Sequence, residues 1–107
     1  MKLSKLIAVL LFVICSYAFA PYDCETTFTV VDCKDVPVAG ATITVERCSD
    51  KKQFSSVTNN SGQASFSLCK KDICKTKISS VGYEFKVVSK VGNNCNDNNC
   101  KIKICSD

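Results

Sequence analysis

Cysteine is the residue type with the most chemistry to offer in this chain, which holds nine cysteines and no histidine in 107 residues. Cys15 lies in an apolar N-terminal segment. The other eight are spread over the rest of the chain: Cys24, Cys33, Cys48, Cys69, Cys74, Cys95, Cys100 and Cys105. An even number of cysteines at this density is typical of a disulfide scaffold in a short secreted chain.

Zinc binding is the alternative use of these cysteines. Structural zinc sites match one close pair of cysteines with a second pair or with histidine, and the chain has no histidine. In an oxidising compartment disulfides are favoured. We therefore predict four disulfides and no metal site, with the pairing left open by the sequence.

A disulfide between Cys100 and Cys105 is excluded by the distance between them on an extended strand. Cys100 and Cys105 lie in an alternating segment that predicts a strand, Lys101-Ile102-Lys103-Ile104. Five residues of extended strand span about 16–17 Å, whereas a disulfide joins Cα atoms within about 7 Å. We expect these two cysteines to take different partners and to hold the last strand to the body of the protein twice.

The N-terminus predicts an oxidising destination. Lys2 and Lys5 precede an apolar run from Leu6 to Ile14, and small residues follow. This is the organisation of a secretory signal peptide, and the run is shorter than the roughly 20 residues of a membrane helix. We expect a secreted, extracellular protein with no stable membrane anchor.

Two cleavage points fit this signal peptide, which we assign to residues 1–20. Cleavage after Ala20 leaves Pro21 next to the cut, an awkward protease substrate, so cleavage after Ala18 is favoured. Either cut removes Cys15 and leaves residues 21–107 as a single disulfide-rich domain.

Charge narrows the classes of partner. Removing Lys2 and Lys5 leaves 12 Lys and Arg against 10 Asp and Glu, a net charge near +2. That value does not favour nucleic acid as a partner. The lysines gather locally at Lys70, Lys71, Lys75 and Lys77. A solvated strand face, with lysine discouraging edge pairing, is favoured there over an anion site.

Catalytic residues are scarce. Without histidine neither a Ser-His nor a Cys-His pair can form. Asp32, Asp35 and Glu46 lie near one another in sequence, but acidic residues at turns are more often solvated or capping groups than an acid/base pair. We expect a protein that is not an enzyme and has no cofactor.

Two polar segments are candidates for modification or binding. Asn59-Asn60-Ser61 is an N-glycosylation sequon on a predicted turn, with Asn59 as the acceptor. The loop of residues 92–99 is rich in side-chain oxygens that suit calcium, but it holds one carboxylate and no EF-hand spacing. We favour a polar loop held by disulfides, because loops on rigid scaffolds commonly bind partners. Its expected contacts are Asn96, Asp97 and Asn98.

Short alternating segments must position these residues. They predict seven strands, over residues 28–33, 41–48, 53–58, 63–68, 74–81, 83–91 and 100–105. Pro37 and Gly40 mark a hairpin-like corner between the first two strands. No segment has a 3.6-residue apolar stripe. Seven short strands separated by turns favour a single all-β domain, a β-sandwich.

The alternation also predicts which side chains are inside. We expect the core to include six residues: Ile43, Val45, Phe66, Ile78, Phe85 and Ile102. Four residues should face water: Thr44, Glu46, Lys77 and Lys86. Cys74, Thr76 and Ile78 should share one face of their strand.

Three motifs occur in an order that resembles a known family: DCKDVPVAGA at residues 32–41, VTNNSGQASF at 57–66 and SSVGY at 79–83. They are similar to the pattern of transthyretin-like and carboxypeptidase-regulatory-like sandwiches. With Cys33, Cys48 and Cys74 at their positions, the chain is also similar to the secreted olive-pollen major-allergen family. This resemblance implies a Greek-key, Ig-like or transthyretin-like β-sandwich and a secreted, non-catalytic module.

Two functions remain open from the sequence. The first is an extracellular binding or structural module whose partner is an unknown extracellular protein or glycan. The second is a small cysteine-rich defence protein or protease inhibitor. Membrane activity would need a strongly cationic surface with an exposed apolar face, and an inhibitor would need a protruding loop, for which Lys70-Lys71 is the basic candidate.

The cysteine pattern generates the first prediction. The native protein should contain no free thiol, and reduction should lower its melting temperature sharply, because cross-links restrict the unfolded chain. Thiol titration before and after reduction, with thermal unfolding of both forms, measures this. Two or more titratable thiols in native material would contradict it.

Overall fold

The computed structural model describes residues 24–106, so the predicted signal peptide lies outside the described residues. This part of the chain is all-β, with short 3₁₀ turns at Lys70–Asp72 and Val91–Asn94. Its strands are β1 (Thr26–Val31), β2 (Thr42–Arg47), β3 (Gln53–Val57), β4 (Gln63–Phe66), β5 (Ile73–Ser79), β6 (Lys86–Val88), β7 (Cys95–Asn96) and β8 (Asn99–Lys103). Within it no helix has the length and hydropathy needed to cross a membrane.

The strands form two four-stranded sheets. The first has the order β4-β1-β8-β7, and the second has the order β3-β2-β5-β6. Neighbouring strands are antiparallel except β1 and β8, which run parallel. The predicted all-β class, sandwich-like arrangement and disulfide stabilisation are therefore confirmed.

The inner faces of both sheets share one hydrophobic core. Phe28 and Val30 of β1 are fully buried, as are Ile43 of β2 and Ile78 of β5. Phe28 meets Phe66 of β4 edge to face, with ring centroids 5.6 Å apart. Five of the six predicted core residues are buried, at most 7 % exposed: Ile43, Val45, Phe66, Ile78 and Ile102. Alternation predicted these correctly because each lies in a strand with one face on the core.

The corner after β1 crosses from one sheet to the other, so the expected hairpin-like pairing of the first two strands is wrong. Pro37 first forms an antiparallel bridge with Val31. The hydroxyl of Thr58, which is buried, then accepts a hydrogen bond from the Ala41 amide (2.9 Å) and donates one to the Val38 carbonyl (2.7 Å). The Thr58 hydroxyl therefore provides hydrogen bonds to two backbone groups of the segment that connects the two sheets, where no neighbouring strand can provide them.

Four disulfides join all eight cysteines of the described chain. The pairs are Cys24–Cys69, Cys33–Cys105, Cys48–Cys74 and Cys95–Cys100. Cys100 and Cys105 take different partners, as their separation required. The expectation that each holds the last strand to the body is only half right, because Cys95–Cys100 spans five residues within one hairpin.

The strand count differs from the prediction because the Asn-rich loop contains a strand. The two residues of β7 pair with the start of β8, which gives eight strands where alternation predicted seven. Asparagine has a low strand propensity, so the composition of this segment indicated a loop.

The segment of residues 83–91 is the main error in the predicted core. Phe85 is 62 % exposed, and Lys86 is half-buried. Lys86 lies opposite the buried Ile78, and its ammonium donates a hydrogen bond to the Lys103 carbonyl (3.2 Å). The segment is not one strand: Tyr83 bridges to Ser106 in the C-terminal segment, and only Lys86–Val88 pairs with β5. Each break resets the alternation, so the predicted faces are reversed at Phe85 and Lys86.

A register shift corrects the prediction for Cys74. Glu46 pairs with Lys75 and Arg47 with Ile73, which leaves Cys74 as an extra residue in β5. Such a bulge lets Ile73 point into the core while Cys74 stays exposed. The exposed position is what allows Cys74 to reach Cys48 at the surface. Thr44, Glu46 and Lys77 are on the outer face as predicted, although each is half-buried.

The core arrangement generates the second prediction. Phe66→Ala should lower the free energy of unfolding by about 3–5 kcal/mol, because it removes a buried ring and its contact with Phe28. Urea denaturation measures the change, with the exposed neighbour Ser67→Ala as the matched control. A loss below about 1 kcal/mol, the surface range, would show that the β4 register is wrong.

Candidate functional site

The predicted partner loop is a tight hairpin. Cys95 pairs with Cys100 and Asn96 with Asn99 across β7 and β8, so the two-residue turn consists of Asp97 and Asn98. The Cys95–Cys100 disulfide links the two strands, with Cα atoms 3.9 Å apart. Asp97 has φ +63°, a left-handed conformation that aspartate and asparagine tolerate better than most residues. We call this segment, residues 95–100, the cystine hairpin.

Two contacts fix the turn of the cystine hairpin to the body. The Thr27 amide donates a hydrogen bond to the Asn98 carbonyl (2.9 Å). From the other side, the Lys70 ammonium donates to the Asp97 carbonyl. Both contacts use backbone carbonyls, so the side chains of Asn96, Asp97 and Asn98 remain exposed on a rigid support.

The lysines expected on a strand face divide into two groups. Lys75 and Lys77 lie on the outer face of β5, opposite Glu46 and Thr44. Lys70 and Lys71 belong instead to the 3₁₀ turn that follows Cys69, which is bonded to Cys24. The structure thus brings Lys70 to the cystine hairpin, a juxtaposition between residues 27 positions apart that alternation could not reveal.

The turn at Lys70–Asp72 is a compact 3₁₀ turn. The reactive loop that an inhibitor presents to a protease must instead be extended and protruding. Lys70 is half-buried, and its ammonium is engaged by Asp97. Lys71 is exposed but lies in the same 3₁₀ turn, so the basic candidate for an inhibitory loop does not have the extended conformation.

The three carboxylates weighed as an acid/base pair have separate structural contacts. The Asp32 carboxylate accepts hydrogen bonds from the Val36 amide (2.9 Å) and the Lys34 amide (2.8 Å). These bonds lower the pKa of Asp32, whereas a catalytic acid needs a raised one. Asp35 faces Lys101 and Lys103 at 3.5 and 3.6 Å, and Glu46 lies on the second sheet.

An ion pair that sequence analysis did not identify lies at the β2–β3 turn. The Arg47 guanidinium forms two hydrogen bonds with the Asp50 carboxylate (3.0 and 2.8 Å) and lies 5.1 Å from the ring centroid of Phe54. Arg47 is the main cause of a lowered pKa at Asp50. The only signal for this ion pair in the sequence was the spacing of three residues between Arg47 and Asp50. In the structure the pair spans the turn between β2 and β3.

Asn59 is exposed in the turn between β3 and β4. Its side-chain oxygen accepts hydrogen bonds from the amides of Ser61 (2.9 Å) and Gln63 (3.0 Å). The nitrogen that would carry a glycan is not one of the atoms in these bonds. Gly62 completes the turn at φ +75°, where an added Cβ would stand 2.6 Å from the Val30 carbonyl oxygen.

In comparisons with known proteins, no family model and no curated protein sequence matches this chain. The geometry of the candidate site places the cystine hairpin beside the Lys70–Asp72 turn, and Lys70 joins the two.

The backbone near this site generates the third prediction. Lys90 has φ +144° and ψ +68°, a positive-φ conformation that a residue with a Cβ adopts rarely and glycine tolerates better. Lys90→Gly should raise the free energy of unfolding by about 1 kcal/mol, since relief of strain exceeds the added entropy of glycine in the unfolded chain. Urea denaturation measures the change.

Lys90→Ala is the matched control, because it removes the same charge but keeps a Cβ. It should leave the stability within about 0.5 kcal/mol of the native value. If alanine and glycine had equal effects, the backbone at residue 90 would not be strained.

Proposed function

We propose that this chain is a secreted, non-enzymatic extracellular module that binds a protein or glycan partner through the cystine hairpin. The observation that carries the proposal is the contact between the Lys70 ammonium and the Asp97 carbonyl. It joins two segments that are each anchored by a disulfide, Cys24–Cys69 and Cys95–Cys100. The result is a rigid polar surface, and rigid loops lose little conformational entropy when they bind.

Secretion is supported by two independent features. The N-terminal sequence has the basic start, apolar run and small residues of a signal peptide. The four disulfides are of the kind that forms and persists in oxidising compartments. We also propose that Asn59 is glycosylated, because its sequon lies on an exposed turn.

We propose further that the fold is a Greek-key sandwich of the transthyretin-like type. The first four strands support this: β2 and β3 pair in the second sheet, and β4 returns to lie beside β1 in the first. This arrangement is compatible with the 4-1-2-3 order of a Greek key, with the step from β1 to β2 crossing between the sheets. The parallel pairing of β1 and β8 then completes the centre of the first sheet.

The alternative function, a defence protein or protease inhibitor, has less support. Lys70 and Lys71 lie in a 3₁₀ turn rather than in an extended loop. No observation of the described residues favours this alternative over a binding module.

The fourth prediction tests the binding surface. Oxidised protein of residues 21–107 should capture an extracellular partner, and Asn96→Ala with Asn98→Ala should reduce capture at least about tenfold, as for loss of central contacts. Asp97 is kept, because alanine at φ +63° would strain the turn. The melting temperature should change little, since the turn is held through backbone carbonyls.

Gln53→Ala with Gln63→Ala is the matched control, because it removes two exposed amides from other strands. Capture by this control should equal that of the native protein. Equal capture by both variants would place the partner elsewhere and contradict the proposal.

A further inference from the structure

A cavity of about 470 Å³ lies at the Lys70–Asp72 turn, whose Lys70 contacts the cystine hairpin. The surface that lines it is mostly apolar and includes Ile73 and the Cys48–Cys74 disulfide, with Ser89 and Gly92 also in the lining. Pockets that hold small molecules have volumes of about 300–1,000 Å³ and largely apolar walls with a few polar groups. The cavity has both properties.

The charged groups at this cavity are all basic. Lys70, Lys71 and Lys90 line it, and no acidic residue does. Within residues 24–106 no carboxylate oxygen lies within 4.0 Å of these three ammonium groups. Asp72, which neighbours Lys71 in the chain, lines a different cavity together with Arg47. The lining therefore combines apolar surface with three ammonium groups that form no ion pair within 4.0 Å in the described residues.

We propose that this cavity binds a small apolar carboxylate of the fatty-acid class, with the hydrocarbon chain against Ile73 and the Cys48–Cys74 disulfide. The carboxylate meets the ammonium groups of Lys71 and Lys90. Charge complementarity selects the anion, because the exposed ammonium groups attract a carboxylate and repel another cation. The apolar walls select the chain, since its burial removes hydrocarbon from water.

This site goes beyond the proposed partner surface. It uses the walls of the cavity rather than the exposed side chains of Asn96 and Asn98, and it requires no macromolecule. Loss of partner capture with intact carboxylate binding, or the reverse, separates the two proposals.

A homologous series of carboxylates is the direct test. Hexanoate, octanoate and decanoate are titrated into oxidised protein and followed by amide chemical shifts. The dissociation constant should fall about threefold to fourfold for each added methylene, the ratio expected for hydrocarbon burial. It should lie below about 1 mM for decanoate. The shifts should centre on Ile73, Cys74 and Gly92.

The headgroup is tested with ligands of one chain length. Octanoate should bind more tightly than octan-1-ol, and octylammonium should bind least, because only the anion complements the lysines. Raising the salt concentration from about 0.02 M to about 0.5 M should weaken the binding of octanoate, because salt screens the ammonium groups. The affinity for octan-1-ol should stay nearly unchanged.

Two variants test the location. The double variant Lys71→Gln with Lys90→Gln should raise the dissociation constant of decanoate about tenfold, a loss of affinity typical of two exposed charge contacts. Lys34→Gln with Lys75→Gln removes the same charge from exposed positions outside the cavity and should have no effect. Gly92→Leu should also weaken binding, because it fills the cavity from a backbone position where an added Cβ meets no atom within 4 Å.

Several results would overturn the assignment. These are no saturable shift with decanoate, equal affinity for octan-1-ol and octanoate, or equal loss of affinity in the cavity and control lysine variants. If an apolar tetrapeptide with a free carboxyl terminus bound more tightly than decanoate, the ligand of the cavity would be a peptide C-terminus and not a fatty acid. Melting temperatures of all variants confirm that each protein is folded when it is titrated.

Discussion

The small size of the hydrophobic core is the constraint on which the rest of this structure depends. Domains of this length bury only about 60 per cent of the surface that their unfolded chains expose. The core is correspondingly thin: single layers of residues such as Phe28 and Ile102 in one sheet face Ile43 and Ile78 in the other. Stability must therefore come partly from restriction of the unfolded chain. Cys33–Cys105, which closes 72 residues, contributes about 4 kcal/mol in the chain-entropy account.

The four disulfides do not all serve this purpose equally. Cys24–Cys69, Cys33–Cys105 and Cys48–Cys74 span 45, 72 and 26 residues and each tie a loop or terminus to a distant segment. Cys95–Cys100 spans five residues and restricts the unfolded chain least. Its main effect is local, because it fixes the cystine hairpin in one shape. Cys100 is itself buried in the core and Cys95 packs against it, so this disulfide also fastens the turn to the core.

Sequence reasoning was accurate where one strand face meets the core without interruption. Ile43, Val45 and Phe66 lie in such strands, and burial alone fixes their register. It was wrong for Phe85 and Lys86. The chain there first bridges to Ser106 and then pairs with β5, and the alternation of inward and outward residues does not continue across that break. The bulge that exposes Cys74 and the two residues of β7 carried no composition signal of their own.

The candidate sites were only partly predictable, for a related reason. Asn96, Asp97 and Asn98 were identified from composition, but the cavity depends on residues that tertiary structure alone brings together. Lys70 connects the two surfaces, because it lines the cavity while its ammonium is bonded to the Asp97 carbonyl. The proposed carboxylate is held by Lys71 and Lys90, so its binding leaves the bond between Lys70 and Asp97 intact. The two surfaces are therefore compatible within one rigid end of the protein.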